Sequence, residues 1–189
     1  MHSVGVFGLQ GDYERHRATL ARIGVAAEIV VTQDRIESID ALIIPGGEST
    51  TMGKLAVTFD LLEPLKRRIS AGMPVFGTCA GMILLAERIE GSEQPRIGAL
   101  AVQVSRNAYG RQIASFEADV PVTFGSGSVR GVFIRAPLIT GLGPAVTVLG
   151  EFEGKPVLVR QGTILASSFH PELTEDTRIH EYFLSIVGS

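Results

Sequence analysis

Cysteine is almost missing from this 189-residue chain: Cys79 is the only one. A single thiol forms no internal disulfide, and with four histidines it is too thin for a cysteine-rich zinc site, so no metal is expected. Excess charge is missing too, since 17 Lys and Arg stand against 20 Asp and Glu for a formal net charge of −3, and no basic cluster offsets that average. This argues against a nucleic acid or an anionic membrane as partner. No apolar run approaches the ~18 residues of a membrane span. Met1-His2-Ser3-Val4-Gly5-Val6-Phe7 lacks a basic region ahead of a signal-like apolar stretch, so a cytoplasmic protein is expected. There is no internal repeat and no linker; Gly125-Ser126-Gly127-Ser128 suffices only for a turn. What is present is 45% hydrophobic residues, enough for one full core, and residues 1–189 read as a single domain.

The apolar residues alternate between two periods. Val4–Leu9, Ala27–Val31 and Ala41–Ile44 read as strands, Tyr13–Ile23 and Leu61–Ser70 as helices, and Met73-Pro74-Val75-Phe76 as another buried strand. Gly24 and Ala71-Gly72 stand where helices stop. Such alternation implies a largely parallel sheet covered by helices. After a helical pattern at Met82–Arg88, strand-like runs follow at Leu100–Ser105, Phe116–Phe124, Gly131–Ile134, Val146–Phe152 and Val157–Arg160, expected as antiparallel additions to the central sheet. Thr163–Phe169 reads as a last strand. Thr174 reads as the cap of a final helix with Ile179, Phe183 and Ile186 on one face.

Four segments have the residue types for chemistry. Gly77-Thr78-Cys79-Ala80-Gly81 lies between a strand and a helix, the setting of a nucleophile elbow with Cys in place of Ser, and its glycines on both sides are expected to let the backbone turn sharply. There a thiol meets helix N-terminal amides, and the Ala80 N–H can face an oxyanion. The plain alternative is a small buried hydrophobe, the usual state of a lone cysteine. A thiol nucleophile needs a base and an orienting group, and Phe169-His170-Pro171-Glu172 supplies both if extended backbone puts positions i and i+2 on one face. An isolated His-x-Glu is more often only a strand end. His2, His16 and His180 compete as bases, but none has a carboxylate in a comparable setting after a strand. Pro45-Gly46-Gly47-Glu48-Ser49-Thr50-Thr51 exposes backbone N–H groups at a strand's end, suited to an oxyanion or carboxylate. It is not a phosphate loop, because five residues separate Gly47 from Gly53 and Leu55 stands where Ser or Thr is needed. Arg106 and Arg135, each at a strand end, suit a substrate carboxylate or a solvated flank.

Together with Gly8-Leu9-Gln10-Gly11-Asp12, Glu14 and His16, with Arg106-Asn107 through Arg111-Gln112, and with Gly131 through Pro137, these motifs span the whole chain. In this order they resemble class I, or triad-type, glutamine amidotransferases, and within them the glutaminase subunits of pyridoxal 5′-phosphate synthase. The resemblance implies a three-layer α/β/α domain around a mixed, largely parallel sheet. It implies that Cys79, His170 and Glu172 hydrolyse L-glutamine through a γ-glutamyl thioester, with Gly46, Gly47 and Ala80 as oxyanion hole. Gly47, Glu48, Ser49, Arg106, Ile134 and Arg135 would then surround the substrate. No cofactor is implied. The implied partner is a (β/α)8 synthase subunit, present in equal number, whose docking orders the Gly46-Gly47 segment, with Gln10 on the same edge as a reporter. Three rivals stay open: a glutaminase serving another ammonia-using synthase, a cysteine hydrolase with its histidine just after the nucleophile, where Met82 and Ile83 stand here, and a non-catalytic regulatory module of the same fold.

Overall fold

The computed structural model describes residues 2–106 and 115–188, so Arg111 and Gln112 of the quoted motif lie outside the described residues. The first half runs β1 (Val4–Phe7), α1 (Tyr13–Arg22), β2 (Ala27–Val30), α2 (Gln33–Ser38), β3 (Ala41–Ile44), α3 (Ser49–Thr58), α4 (Leu62–Ser70), β4 (Val75–Thr78) and α5 (Ala80–Leu85). The second half runs β5 (Ala86–Ile89), β6 (Leu100–Ser105), β7 (Ser115–Pro121), β8 (Ser128–Ile134), β9 (Leu138–Leu142), β10 (Thr147–Phe152), β11 (Lys155–Gln161), β12 (Ile164–Ser167), a 3-10 turn at Pro171–Leu173, and α6 (Arg178–Val187).

The central sheet has the order β10-β11-β12-β4-β3-β1-β2, with β12 through β2 parallel and β11 and β10 added antiparallel. Its buried strands are apolar on both faces, and the period of two sorts their side chains into two cores. Leu42, Ile44, Val75 and Ala166 face one side, where they pack with Met52 of α3, Leu65 of α4 and Leu84 of α5. Val4, Val6, Ile43, Phe76 and Leu165 face the other, against Leu20 of α1 and Ile179, Phe183 and Ile186 of α6. This is the three-layer α/β/α arrangement. Each fully buried Leu or Ile contributes about 1.5–3 kcal/mol, so the sheet is fixed from both sides.

Several local expectations are corrected. The helix expected over Met82–Arg88 stops at Leu85, and Ala86–Ile89 pairs in parallel with β6. Tertiary pairing overrides the helical pattern there. Only β10 and β11 extend the central sheet; β5, β6 and β9 form their own sheet, and β7 with β8 a hairpin turned by Gly125 and Gly127 at positive φ. Thr174 does not cap α6. Its hydroxyl accepts from the Asp176 N–H in the preceding turn, and the helix begins at Arg178. Helices α2 and α3 have no counterpart in the sequence reading.

In the parallel part of the sheet all carboxyl ends open on one edge, and the chain order reverses beside β1. In open α/β sheets that is where ligands bind. The segments after β1, β3, β4 and β12 emerge there side by side. Among the described residues no helix is long and apolar enough to cross a membrane.

Candidate active site

Cys79 follows β4 directly and has φ 49° and ψ −103°, a left-handed setting that a non-glycine residue holds only under constraint. Its N–H donates to the Ser167 carbonyl of β12 at 2.8 Å, and the Cys79 carbonyl accepts from the Ile83 N–H at 3.1 Å. The flanking glycines do a different job from the sharp turn expected of them. Neither has positive φ; they allow close approach. A Cβ on Gly81 would lie 2.1 Å from the Ile44 carbonyl oxygen, and one on Gly77 2.7 Å from the Gly81 carbonyl carbon. The strain therefore sits on the cysteine itself.

His170 arrives from the end of β12. Its N–H donates to the Val132 carbonyl at 2.8 Å, which also fixes the β7–β8 hairpin and places the Ile134 carbonyl 3.8 Å from Cys79 Sγ. Nδ1 of His170 lies 2.8 Å from Glu172 Oε1, with both side chains buried. The pairing does not use extended backbone. Pro171 opens a 3-10 turn, and the turn brings the carboxylate back to the ring. Burial alone would lower the His170 pKa, but hydrogen bonds with Cys79 and Glu172 and their charge raise it to about 10. Burial would likewise raise the Glu172 carboxyl; neighbouring His16 and His170 hold it below its ordinary range instead. At neutral pH the site thus holds a carboxylate and an imidazolium beside the Cys79 sulfur.

The cysteine opens into a cleft of about 410 Å³, lined also by Gly47, Glu48, Ser49, Ala80, Arg106, Ile134, Arg135 and His170. That is the scale of a small-molecule site. Gly46 lies just behind the lining, pressed against the His170 ring. Glu48 caps α3: its oxygens accept from the Thr50 and Thr51 N–H groups and from the Thr51 hydroxyl. Those bonds, the Thr51 hydroxyl above all, hold its pKa down at about 2, so an exposed carboxylate borders the cleft. Arg106 donates from Nη1 to Thr50 Oγ1 and Gln94 Oε1, both at 2.8 Å. Arg135 is exposed and held at φ 44°. The loop after β1 secures the oxyanion segment from the other side. Asp12 N–H donates to the Gly46 carbonyl at 3.1 Å, and Gln10 Oε1 accepts from Glu48 N–H at 2.9 Å.

The profile of the SNO glutamine amidotransferase family matches residues 6–189. The chain belongs to this family. Two relatives of this SNO chain bear the name pyridoxal 5′-phosphate synthase subunit PdxT. One, from Carboxydothermus hydrogenoformans, is 53% identical over 185 residues, spanning 97% of both chains. The other, from Thermus thermophilus, is 53% identical over 187 residues, spanning 98% of this chain and 97% of the relative. A crystal structure of a glutamine amidotransferase superposes with a TM-score of 0.94 at 53% identity, covering 98% of this chain and 99% of that one. The PurLQS structure from Thermotoga maritima, at 16% identity and a TM-score of 0.76 over 98% of this chain and 99% of that one, shares the fold.

All the residues expected at the site are brought to this edge. His16, set aside as the base, lies behind the triad: its Nε2 is 3.5 Å from Glu172 Oε1, both fully buried, a proximity with no signal in the sequence. Gln94 and Ile83 also belong to the site without having been singled out in the sequence, the first holding Arg106 and the second lining the cleft. Ile83 sits one turn beyond the elbow, and that spacing is a usable signal; Gln94 has none in the sequence around it.

Proposed function

We propose that this chain hydrolyses L-glutamine to L-glutamate and ammonia with Cys79, His170 and Glu172, and supplies the ammonia to the synthase subunit of pyridoxal 5′-phosphate synthase. The observation that carries the reading is His170, held by Glu172 at 2.8 Å, lining with the strained Cys79 the mouth of one cleft. Cys79 Sγ attacks the side-chain carboxamide carbon of glutamine, and the oxygen takes up the electron pair. The Ala80 N–H and the Gly46-Gly47 backbone are the donors for that oxyanion. The imidazolium of His170 protonates the departing nitrogen, ammonia leaves, and a γ-glutamyl thioester remains. His170, now neutral, takes a proton from water, which attacks the thioester; glutamate and the thiol are restored. Glu172 keeps the imidazole in the tautomer with Nδ1–H. At the other end of the substrate, the Glu48 carboxylate suits the α-ammonium group and Arg106 with Arg135 the α-carboxylate, while Gly47, Ser49 and Ile134 complete the walls.

Acyl transfer through a thiol needs no metal or cofactor. The names of the close relatives support the synthase as partner; that the complex holds equal numbers of the two subunits rests on the family resemblance alone. Residues 1–189 act as one glutaminase domain in the cytoplasm, with no nucleic acid or membrane as partner. The ties from Gln10 and Asp12 to the Gly46–Glu48 segment give a docking partner a handle on the oxyanion hole. The test is glutamate release from glutamine by the chain alone and with the synthase subunit, with Cys79→Ala as control. Release that rises with the synthase and vanishes in the variant is expected; absence of release from a proven complex overturns the reading.

A further inference from the structure

Behind Glu172 lies a buried histidine pair to which glutamine hydrolysis, as derived above, assigns no task. His16 on α1 and His180 on α6 are both fully buried, and neither lines the cleft. They form a file that ends on the catalytic carboxylate. His180 Nε2 is 3.0 Å from His16 Nδ1, and His16 Nε2 is 3.1 Å from Thr78 Oγ1 and 3.5 Å from Glu172 Oε1. The same oxygen is 2.8 Å from His170 Nδ1, so one carboxylate oxygen sits between two imidazoles. Among the described residues, Glu172 Oε2 and His180 Nδ1 have no hydrogen-bond partner.

The positions of the protons follow from what each atom can do. A carboxylate only accepts, so the His16 nitrogen facing it carries the hydrogen, which is bonded to Thr78 Oγ1 and lies close to Glu172 Oε1. A bare lone pair there would face a negative oxygen. His16 Nδ1 is then an acceptor and requires the hydrogen of His180 Nε2. That leaves His180 Nδ1 as a lone pair, which agrees with its lack of a partner, because a buried orphan N–H is the rarer defect. Burial keeps both rings neutral: it lowers His16 against the pull of Glu172 and Asp12, with His170 repelling, and it lowers His180 to about 3, with His16 and Arg22 repelling and Glu172 attracting. The groups facing His170 itself are Cys79 and Glu172, with His16 behind the carboxylate.

We propose that His16, held in its Nε2–H tautomer by His180, is a positioning residue that pins Glu172 Oε1 against His170 Nδ1 and so maintains the His170 cation facing Cys79. The role rests on the glutaminase reading of Cys79 and His170. It differs from that reading in acting from the far side of the triad. Without the His16 ring, a carboxylate whose second oxygen already lacks a partner loses the buried N–H dipole 3.5 Å from the first, and its grip on His170 weakens.

Two measurements on the full chain, without substrate or synthase, test this. Ring 15N NMR on histidine-labelled protein is expected to find His16 and His180 neutral near pH 7, each with its hydrogen on Nε2. A His16 with its hydrogen on Nδ1 overturns the role. The second is the pH profile of Cys79 alkylation by iodoacetamide, which follows the thiolate. His16→Leu is expected to slow alkylation at pH 6 about tenfold, equivalent to moving the profile up by one pH unit, and to converge with the parent at pH 9. His16→Gln, which keeps an N–H donor, is expected to restore the profile to within about twofold. A folded His16→Leu whose profile superposes on the parent overturns the proposal. Should that variant not fold, His180→Phe replaces it. It removes the donor that sets the tautomer in a pocket already lined by Phe76, and the same displacement is expected, an unmoved profile again overturning the role. An ordinary thiol profile in the parent chain would instead remove the Cys79–His170 reading itself, so the two failures are told apart.

Discussion

Gly46→Ala is the substitution with the most to say about the site. Gly46 has ordinary backbone angles, so alanine meets no conformational objection there. The objection is a neighbour. A Cβ at this position would lie 2.2 Å from His170 Cε1 and 2.8 Å from Nδ1, where ordinary contact begins near 3.4 Å. The imidazole must therefore retreat by more than an ångström. It cannot do so freely, because its Nδ1 is bound to Glu172, its backbone N–H is bound to Val132, and its chain turns at once into Pro171. A displacement of about 1 Å between reacting groups costs roughly 100-fold in rate, and the overpacking itself costs about 1–3 kcal/mol of stability. We expect glutamine hydrolysis in the presence of the synthase to fall at least about 100-fold in kcat, with a modest loss in Tm and intact docking. Gly24→Ala is the control: it sits at φ 80° with open space around it, so it carries backbone strain and leaves turnover alone. If Gly46→Ala retained full kcat, the close packing of the oxyanion segment on the base would be no requirement of the chemistry, and the argument that ties the two would fail.

Acidification is expected to unfold the protein through its buried histidines. Between the ordinary value near 6.5 and the lowered value near 3, His180 binds a proton when unfolded and not when folded, so stability falls as pH drops through that window, by up to about 5 kcal/mol; urea melts should follow this slope and His180→Phe should flatten it. Glu48→Ala removes the cap of α3 and is expected to cost about 1 kcal/mol by thermal melting while raising KM for glutamine. Arg106→Ala is expected to lower kcat/KM about 10-fold to 100-fold through KM, the size of a lost charged hydrogen bond, and an unchanged KM would remove Arg106 from the substrate's surroundings.

How far the sequence announced this site depends on whether the signal was local. The strands β1 and β3 and the helices α1 and α4 followed from period and stop residues, because each is a short amphipathic or apolar run whose burial depends on itself. The triad followed from three motifs whose glycines and proline limit the backbone. Where partners came from distant segments, the reading went astray. Ala86–Ile89 is a strand only because β6 lies alongside, and Thr174 serves a turn set by Pro171 rather than the helix beyond it. The glycines of the elbow were rightly singled out for the wrong reason, since their purpose is visible only once Ile44 is seen against Gly81.

The place of His16 was not legible in the sequence. Read along the chain it stands more than 150 residues from Glu172, on a helix face that looks merely polar. The reading sought a carboxylate beside each histidine in sequence, and the sheet supplies one in space instead: α1 and the turn after β12 pack together at the carboxyl edge. A fully buried, uncharged histidine needs both ring nitrogens placed, and His180 and Thr78 place them. The helix that closes the second core therefore also holds the triad from behind. Stability and catalysis share these residues, which is why substitutions on α6, remote from the cleft, are expected to reach the thiol.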